Sequence, residues 1–292
     1  MNLNRRKLLQ VAAATGIGTT LLSQVGRSSS ASNEKPARLT AQADAFAAEV
    51  DEGLAYFKEQ AVQQLPLIEA LASAIANNDL EAAKQAYIDS RPPYEQIEVL
   101  ALNFEQTDSN IDARPYAFDN GEEDEDFMGF HRIETLIFRD GNLADAVPYA
   151  EGLIADVKNL MSDLEAREQF DSPSHFAGMI GLATEVPAKK ISSEEETWSD
   201  QSLLIFQENW KGIYSQLTPF LAKAQSINPT VAAEATSAYE GAMAVIKPYF
   251  TENRVAAAPY SSLNAVQRGE IVTAAYRFRD AIIAVKENLG IG

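Results

Sequence analysis

Beyond residue 36 the hydrophobic positions recur every three or four residues. Phe46, Val50, Leu54, Phe57, Ala61, Leu65 and Ile68 form one such series. Leu203, Phe206, Trp210, Ile213, Leu217 and Phe220 form a second, and Ile271, Ala275, Phe278, Ile282, Val285 and Leu289 a third. A turn of 3.6 residues gathers each series on one helix face, the stripe that packs against neighbours. Residues 147–164 keep the same spacing, and the alternation of a half-buried strand is nowhere sustained. Ser261 or Ser262 is placed to cap the last helix and Gly290 to end it. Breaks are expected at Asn77-Asn78-Asp79, Arg91-Pro92-Pro93, residues 107–123, Asp140-Gly141-Asn142, Asp171-Ser172-Pro173, Asn228-Pro229 and Ala258-Pro259. The fold class expected is all-α: two packed four-helix bundles, residues 37–168 and 169–290, with about four helices on either side of Asp171. One elongated eight-helix domain fits the same pattern.

Composition narrows the chemistry. The chain has 292 residues, of which 46% are hydrophobic, enough for a sizeable core. It has no cysteine, which excludes disulfides, thiolate metal sites, iron–sulfur clusters, a cysteine nucleophile and a lipidated N-terminal cysteine. Forty-two acidic residues against 24 basic ones give a net charge of −18. Such a surface repels nucleic acid and anionic membranes and tolerates cationic ligands; its plainest use is solubility.

Residues 1–31 read as an export signal. Arg5-Arg6-Lys7 precedes an apolar stretch from Leu8 to Leu22, and small residues run up to Ala31. The stretch is short for a bilayer span, which takes about 20 residues. The paired arginines resemble a twin-arginine signal, although Asn4 stands where serine or threonine is usual; an ordinary secretory signal is the alternative. Cleavage near Ala31 and a periplasmic location are expected, with no membrane-embedded segment.

The informative chemistry lies where carboxylates meet core positions. In Gly129-Phe130-His131-Arg132-Ile133-Glu134, helical spacing sets Glu134 inside the stripe of Phe127, Phe130, Ile133, Ile137 and Phe138, with His131 at its edge. A carboxylate on a buried face is costly unless paired or bound to a metal. Residues three apart can meet one ion, or they can simply close a histidine–glutamate contact in the core. Glu95 and Glu98 form a second pair beside Ala101 and Leu102, readable as partner ligands or as an exposed acidic edge. Inward carboxylates and histidine from different helices build metal sites in bundle cores. Such donors suit iron, manganese or zinc. A full di-iron site normally needs two histidine-bearing motifs. His175 reads as a surface or capping residue, Glu194-Glu195-Glu196 as the solvated first turn of the next helix with cation capture as a secondary role, and the six acids among residues 119–126 as a solvated or cation-gathering loop without calcium-loop spacing.

Arg91-Pro92-Pro93-Tyr94-Glu95-Gln96-Ile97-Glu98, Ile111-Asp112-Ala113-Arg114, Gly129-Phe130-His131-Arg132-Ile133-Glu134 and residues 190–199, in that order, resemble the imelysin-like EfeO/EfeM family of the Efe iron-uptake system. The resemblance implies two four-helix bundles and a metal site at the His-x-x-Glu motif. It carries over His131 and Glu134 as the motif pair, Glu95 and Glu98 as partner acids, and Asp112 from a loop that folds back. Arg114 is then an orienting residue rather than a ligand. The early start of the mature chain resembles the short family form without a cupredoxin domain, and Asp200 stands where many members carry histidine, which puts a subsidiary metal site in doubt.

The function so implied is non-catalytic: capture of iron (Fe2+ or Fe3+, with zinc and manganese left open) as cargo, and delivery to a membrane iron permease, with a haem peroxidase as a further partner. The competing readings are a metallopeptidase and a metal-bridged polysaccharide-binding module. The zinc peptidase motif His-Glu-x-x-His needs two histidines on one helix, and this chain has two in all, far apart in sequence.

Overall fold

The computed structural model describes residues 44–192 and 195–292; the export signal expected at residues 1–31 lies outside them. The helices are α1 (Ala47–Ala76), α2 (Leu80–Ile97), α3 (Glu105–Asp112), α4 (Gly129–Glu134), α5 (Leu143–Asp163), α6 (Ser172–Ala188), α7 (Ser202–Ile227), α8 (Pro229–Ile246) and α9 (Ala265–Leu289). Short 3₁₀ turns join several of them, among them Glu98–Asn103 after α2 and Lys190–Ser192 after α6. Among the described residues there is no strand, only an isolated antiparallel bridge between Phe250 and Ala257. None of their helices is long and apolar enough to cross a membrane.

The three hydrophobic stripes lie on α1, α7 and α9. α1, α2 and α5 pack side by side, with α3 and α4 laid against α5. α6, α7, α8 and α9 form a second group, and α7 serves both, packing on α1 and α2 as well as on α6, α8 and α9. That position explains why α7 buries Glu208, Asn209 and Gln216 in addition to its apolar stripe. At Gly212 a Cβ would collide with the backbone of Gln96, so glycine here lets α7 pack closely on α2. The apolar interior is continuous from Val50 to Ile291.

Local signals set most boundaries. Asp79, Asn142 and Asn228 cap α2, α5 and α8 by accepting backbone N–H bonds, and Asp171 and Asn264 form capping boxes at α6 and α9. The cap of α9 is therefore Asn264, not Ser261 or Ser262, which lie in the preceding 3₁₀ turn. Gly290, at φ +68°, ends α9 as expected.

Two expected breaks are displaced. α2 runs through Pro92 and Pro93, although each removes a helical N–H donor. Packing along α1 carries it across, and Gln64 Nε2 from α1 donates to the Ser90 carbonyl at 2.9 Å. Residues 107–123 are not all loop: α3 occupies their first part. It is pinned by Tyr94 Oη donating to Asp108 at 2.6 Å and by the Thr107 hydroxyl donating to Asp163 of α5. Asp112 is thus the last residue of a helix rather than a point in a long loop.

Candidate metal centre

Four segments deliver charged side chains to one buried place. From α2 come Arg91 and Glu95, one helical turn apart, and Glu98 follows on the 3₁₀ turn. The end of α3 gives Asp112, with Arg114 two residues on; α4 gives His131 and Glu134; the segment between α6 and α7 gives Lys190, Glu195 and Glu196. All are buried, Arg91 and Glu95 completely. A left-handed glycine makes the juxtaposition of α3 and α4 possible. Gly129 has φ +75°, and a Cβ there would collide with the carbonyl oxygens of Asn110 and Ile111. The chain turns into α4 directly against the end of α3, and this sets Asp112 beside His131. After Glu134 the helix widens into a π turn, Thr135–Arg139, a deformation common beside functional sites.

The His131 ring lies between two carboxyl groups. Nδ1 is 3.3 Å from Glu134 Oε2, and Nε2 is 3.3 Å from Asp112 Oδ1 but off the hydrogen-bonding direction, so this buried nitrogen has no hydrogen-bond partner. Glu134 is fixed from its other oxygen, Oε1, which accepts the backbone N–H groups of Trp198 (2.7 Å) and Ser199 (2.9 Å). Arg91 is the hub of the cluster. Its Nη2 pairs with Glu95, Nη1 with Asp112 Oδ1 (2.8 Å) and Nε with Glu196 (2.9 Å), while its plane stands 4.3 Å from the Phe130 ring centre. Glu196 also accepts from Tyr87 and Ser199. Arg114 pairs with Glu195 and Asp112, the orienting part expected of it. Lys190 Nζ is 2.7 Å from Glu98, 2.9 Å from Glu195 and 3.8 Å from Glu95.

The electrostatics are lopsided. Six carboxyl groups (Glu95, Glu98, Asp112, Glu134, Glu195, Glu196) face three permanent cations (Arg91, Arg114, Lys190), an excess of three acids in a dry interior. Burial pushes the Glu95 carboxyl well above its usual range in spite of Arg91 and Lys190. Burial and the neighbouring Glu134 raise Glu196 to about 7. Burial alone would raise Asp112, yet Arg91, His131 and Arg114 hold it well below the usual carboxylate range. Glu195 is likewise lowered, Arg114 and Lys190 outweighing its burial. Burial and Arg114 press the His131 pKa down, but Asp112 and Glu134 prevail and leave it raised.

The sequence-derived candidates therefore meet in two sets. His131 touches Asp112 through Nε2 and Glu134 through Nδ1. Glu95 joins them through Arg91, and Glu98 joins Glu95 through Lys190 and Asn209. Among the described residues no three histidine or acidic side chains stand ready-made in coordination geometry, because basic side chains are interleaved among them. The donor types present, a buried imidazole nitrogen 3.3 Å from a carboxyl oxygen, are ones that could hold a metal ion.

Several expectations are corrected. Glu195 and Glu196 are not a solvated helix turn; both are buried in the turns before α7, whereas Glu194 lies outside the described residues. His175 is not at the surface but fully buried against Phe170, its Nδ1 at 3.1 Å from the Asp171 carbonyl, and burial lowers its pKa to about 4. Asp200, at φ +60°, accepts from the Ser261 N–H and hydroxyl, tying the start of α7 to the turn before α9. Arg91, Lys190 and Asn209 are cluster residues that the sequence reading does not name as candidates, and Glu195 and Glu196 have only a secondary place in it. For all but Asn209, the available signal was their place in the family-like segments.

Residues 30–277 match the imelysin family. The chain is 34% identical over 202 residues to the iron uptake system component EfeO of Escherichia coli strain K12, and equally to that of Shigella flexneri, over 68% of this chain and 53% of each relative. It thus spans about half the length of the curated relatives it matches. A solved protein from Parabacteroides distasonis, provisionally named an iron-regulated protein A precursor, is similar with a TM-score of 0.63 at 19% identity, over 83% of this chain and 93% of that one. At that identity the likeness speaks for the fold alone. The match, spanning most of the chain's length, shows that the chain belongs to the imelysin family.

Proposed function

We propose that this protein is a non-catalytic iron carrier outside the cytoplasm. It captures Fe2+ or Fe3+ at His131 Nε2 and Asp112, with Glu134 orienting the imidazole from Nδ1 and Glu95 and Glu98 set further out in the cluster, and delivers the ion from the periplasm to a membrane permease. The observation that carries this reading is the buried His131 Nε2, 3.3 Å from Asp112 Oδ1 within an excess of acids. The printed name of the relatives, iron uptake system component, supports iron as the cargo. A haem peroxidase partner and a division into units of residues 37–168 and 169–290 belong to the same proposal.

The geometry supplies a way to load and release. Arg91 Nη1 and His131 Nε2 approach the same oxygen, Asp112 Oδ1. An incoming ion that binds the imidazole competes with Arg91 for that oxygen, and Arg91 recovers it when the ion leaves. Asp112 is then never left as an uncompensated buried charge, which would be strongly destabilising. A hydrolase reading finds less support: the second histidine, His175, makes its contacts with Phe170 and Asp171.

Anaerobic equilibrium dialysis against Fe(II), and aerobic dialysis against ferric citrate, test capture. One bound ion in the wild type, lost in His131→Ala and Asp112→Asn, is expected; no binding by the wild type refutes capture. Radioiron uptake by cells lacking the protein tests delivery: restoration by wild type and not by His131→Ala is expected, and unchanged uptake without the protein refutes it.

A further inference from the structure

Lys190 is an unusual side chain to bury, since lysine seldom enters a protein interior without partners. Its ammonium has four oxygens around it: Glu98 Oε2 at 2.7 Å, Glu195 Oε1 at 2.9 Å, Asn209 Oδ1 at 3.0 Å and Glu95 Oε2 at 3.8 Å. The ammonium donates to Glu98 and Asn209 and is ion-paired with Glu195. The shell is further knitted by Asn209 Nδ2, which donates to Glu95 Oε2 and Glu98 Oε2, both at 3.0 Å. Three carboxyl groups and an amide oxygen, gathered from α2, its 3₁₀ turn, the segment before α7 and α7 itself, are the ligands a hard cation takes. Here the chain provides that cation from its own sequence.

We propose that Lys190 is a resident cation that fills the second half of a potentially dinuclear acid cluster, and so limits this protein to a single bound metal ion on the His131 side. The inference rests on the metal-capture reading above and adds to it the number of ions and the residue that sets it. Without the ammonium, Glu95, Glu98 and Glu195 lose a shared counter-charge, and a divalent ion is the simplest replacement. Arginine at the same place keeps the charge and the exclusion.

Manganese(II) is a suitable probe because it stays divalent in air. Equilibrium dialysis of the full chain, with elemental analysis of the bound metal, is expected to give one Mn(II) for the wild type and for Lys190→Arg, and two for Lys190→Ala. Thermal unfolding of each chain with and without Mn(II) is the companion measurement, and the rise in melting temperature is expected to be largest for Lys190→Ala. The inference is overturned if Lys190→Ala folds and binds no more than the wild type, if it fails to fold and Mn(II) does not restore it, or if the wild type already binds two. A wild type that binds none, with one ion gained in Lys190→Ala, removes the His131 capture site and leaves the role of Lys190 standing.

Discussion

The two ends of the buried cluster hold similar acids and behave differently. At one end Glu95, Glu98 and Glu195 surround Lys190, whose ammonium donates to Glu98 and Asn209 and pairs with Glu195 at 2.9 Å. At the other, Asp112 and Glu134 flank His131, whose Nε2 is left without a hydrogen bond. Acid density does not distinguish them. What does is whether the chain itself contributes a permanent cation. In the function proposed above, the Lys190 end is closed by that cation and the His131 end is the one that receives an external ion. Arg91 joins the two ends through Glu95 and Asp112.

Breaking the joint should do most damage. Arg91→Met strands Glu95, Asp112 and Glu196 in the interior, and a loss of about 3–5 kcal/mol is expected in chemical denaturation. A loss below about 1 kcal/mol would show that the acids neutralise themselves by taking up protons.

The two histidines sharpen the contrast, because their pKa values move in opposite directions. His175 is held near 4 by burial, below its ordinary value of about 6.5. Between those values the unfolded chain binds a proton that the native chain refuses. Stability contributed above pH 6.5 is therefore lost as pH falls, by about 1.4 kcal/mol per unit and about 3 kcal/mol by pH 4. Comparing denaturation midpoints across pH 7 to 4 checks this. His175→Gln should flatten the slope, and an unaltered slope would assign the acid lability to other groups.

His131→Ala acts on the open end alone. Metal affinity should fall at least roughly 100-fold, about 2.7 kcal/mol, while the cooperative unfolding transition persists. Because the His131 pKa is raised, the wild-type site still carries a competing proton above pH 6.5. Affinity should therefore climb with pH through that region, by up to about tenfold per unit for one displaced proton; isothermal titration at several pH values would register it. Glu98→Gln touches the closed end alone. It should cost about 2 kcal/mol through the weakened contact with Lys190 and leave metal affinity within about tenfold of wild type. A larger loss of affinity would make Glu98 a direct ligand.

Much of the frame was legible in residue order. The stripes on α1, α7 and α9 and the capping residues Asp79, Asp171 and Asn228 follow from local rules. The departures have tertiary causes. Pro92 and Pro93 look like a break because each forfeits a hydrogen bond, but packing against α1 holds the helix through them. His175 was read from the capping residues before it; the series His175, Met179, Leu182, Val186 places it on the buried face of α6. At the site, the inward direction of His131 and Glu134 was visible from helical spacing. The burial of Glu195, Glu196 and Lys190 was not, since a charged run reads as solvated until opposite charges from distant segments are seen to meet it.

The most direct test of the central claim is diffraction from crystals of the protein soaked anaerobically in Fe(II), with data collected on either side of the iron absorption edge. A single anomalous peak within bonding distance of His131 Nε2, with Asp112 in its shell and Lys190 undisturbed, is the expected result. A peak between Glu95 and Glu98 with His131 free, or no peak in the cluster at all, would contradict it.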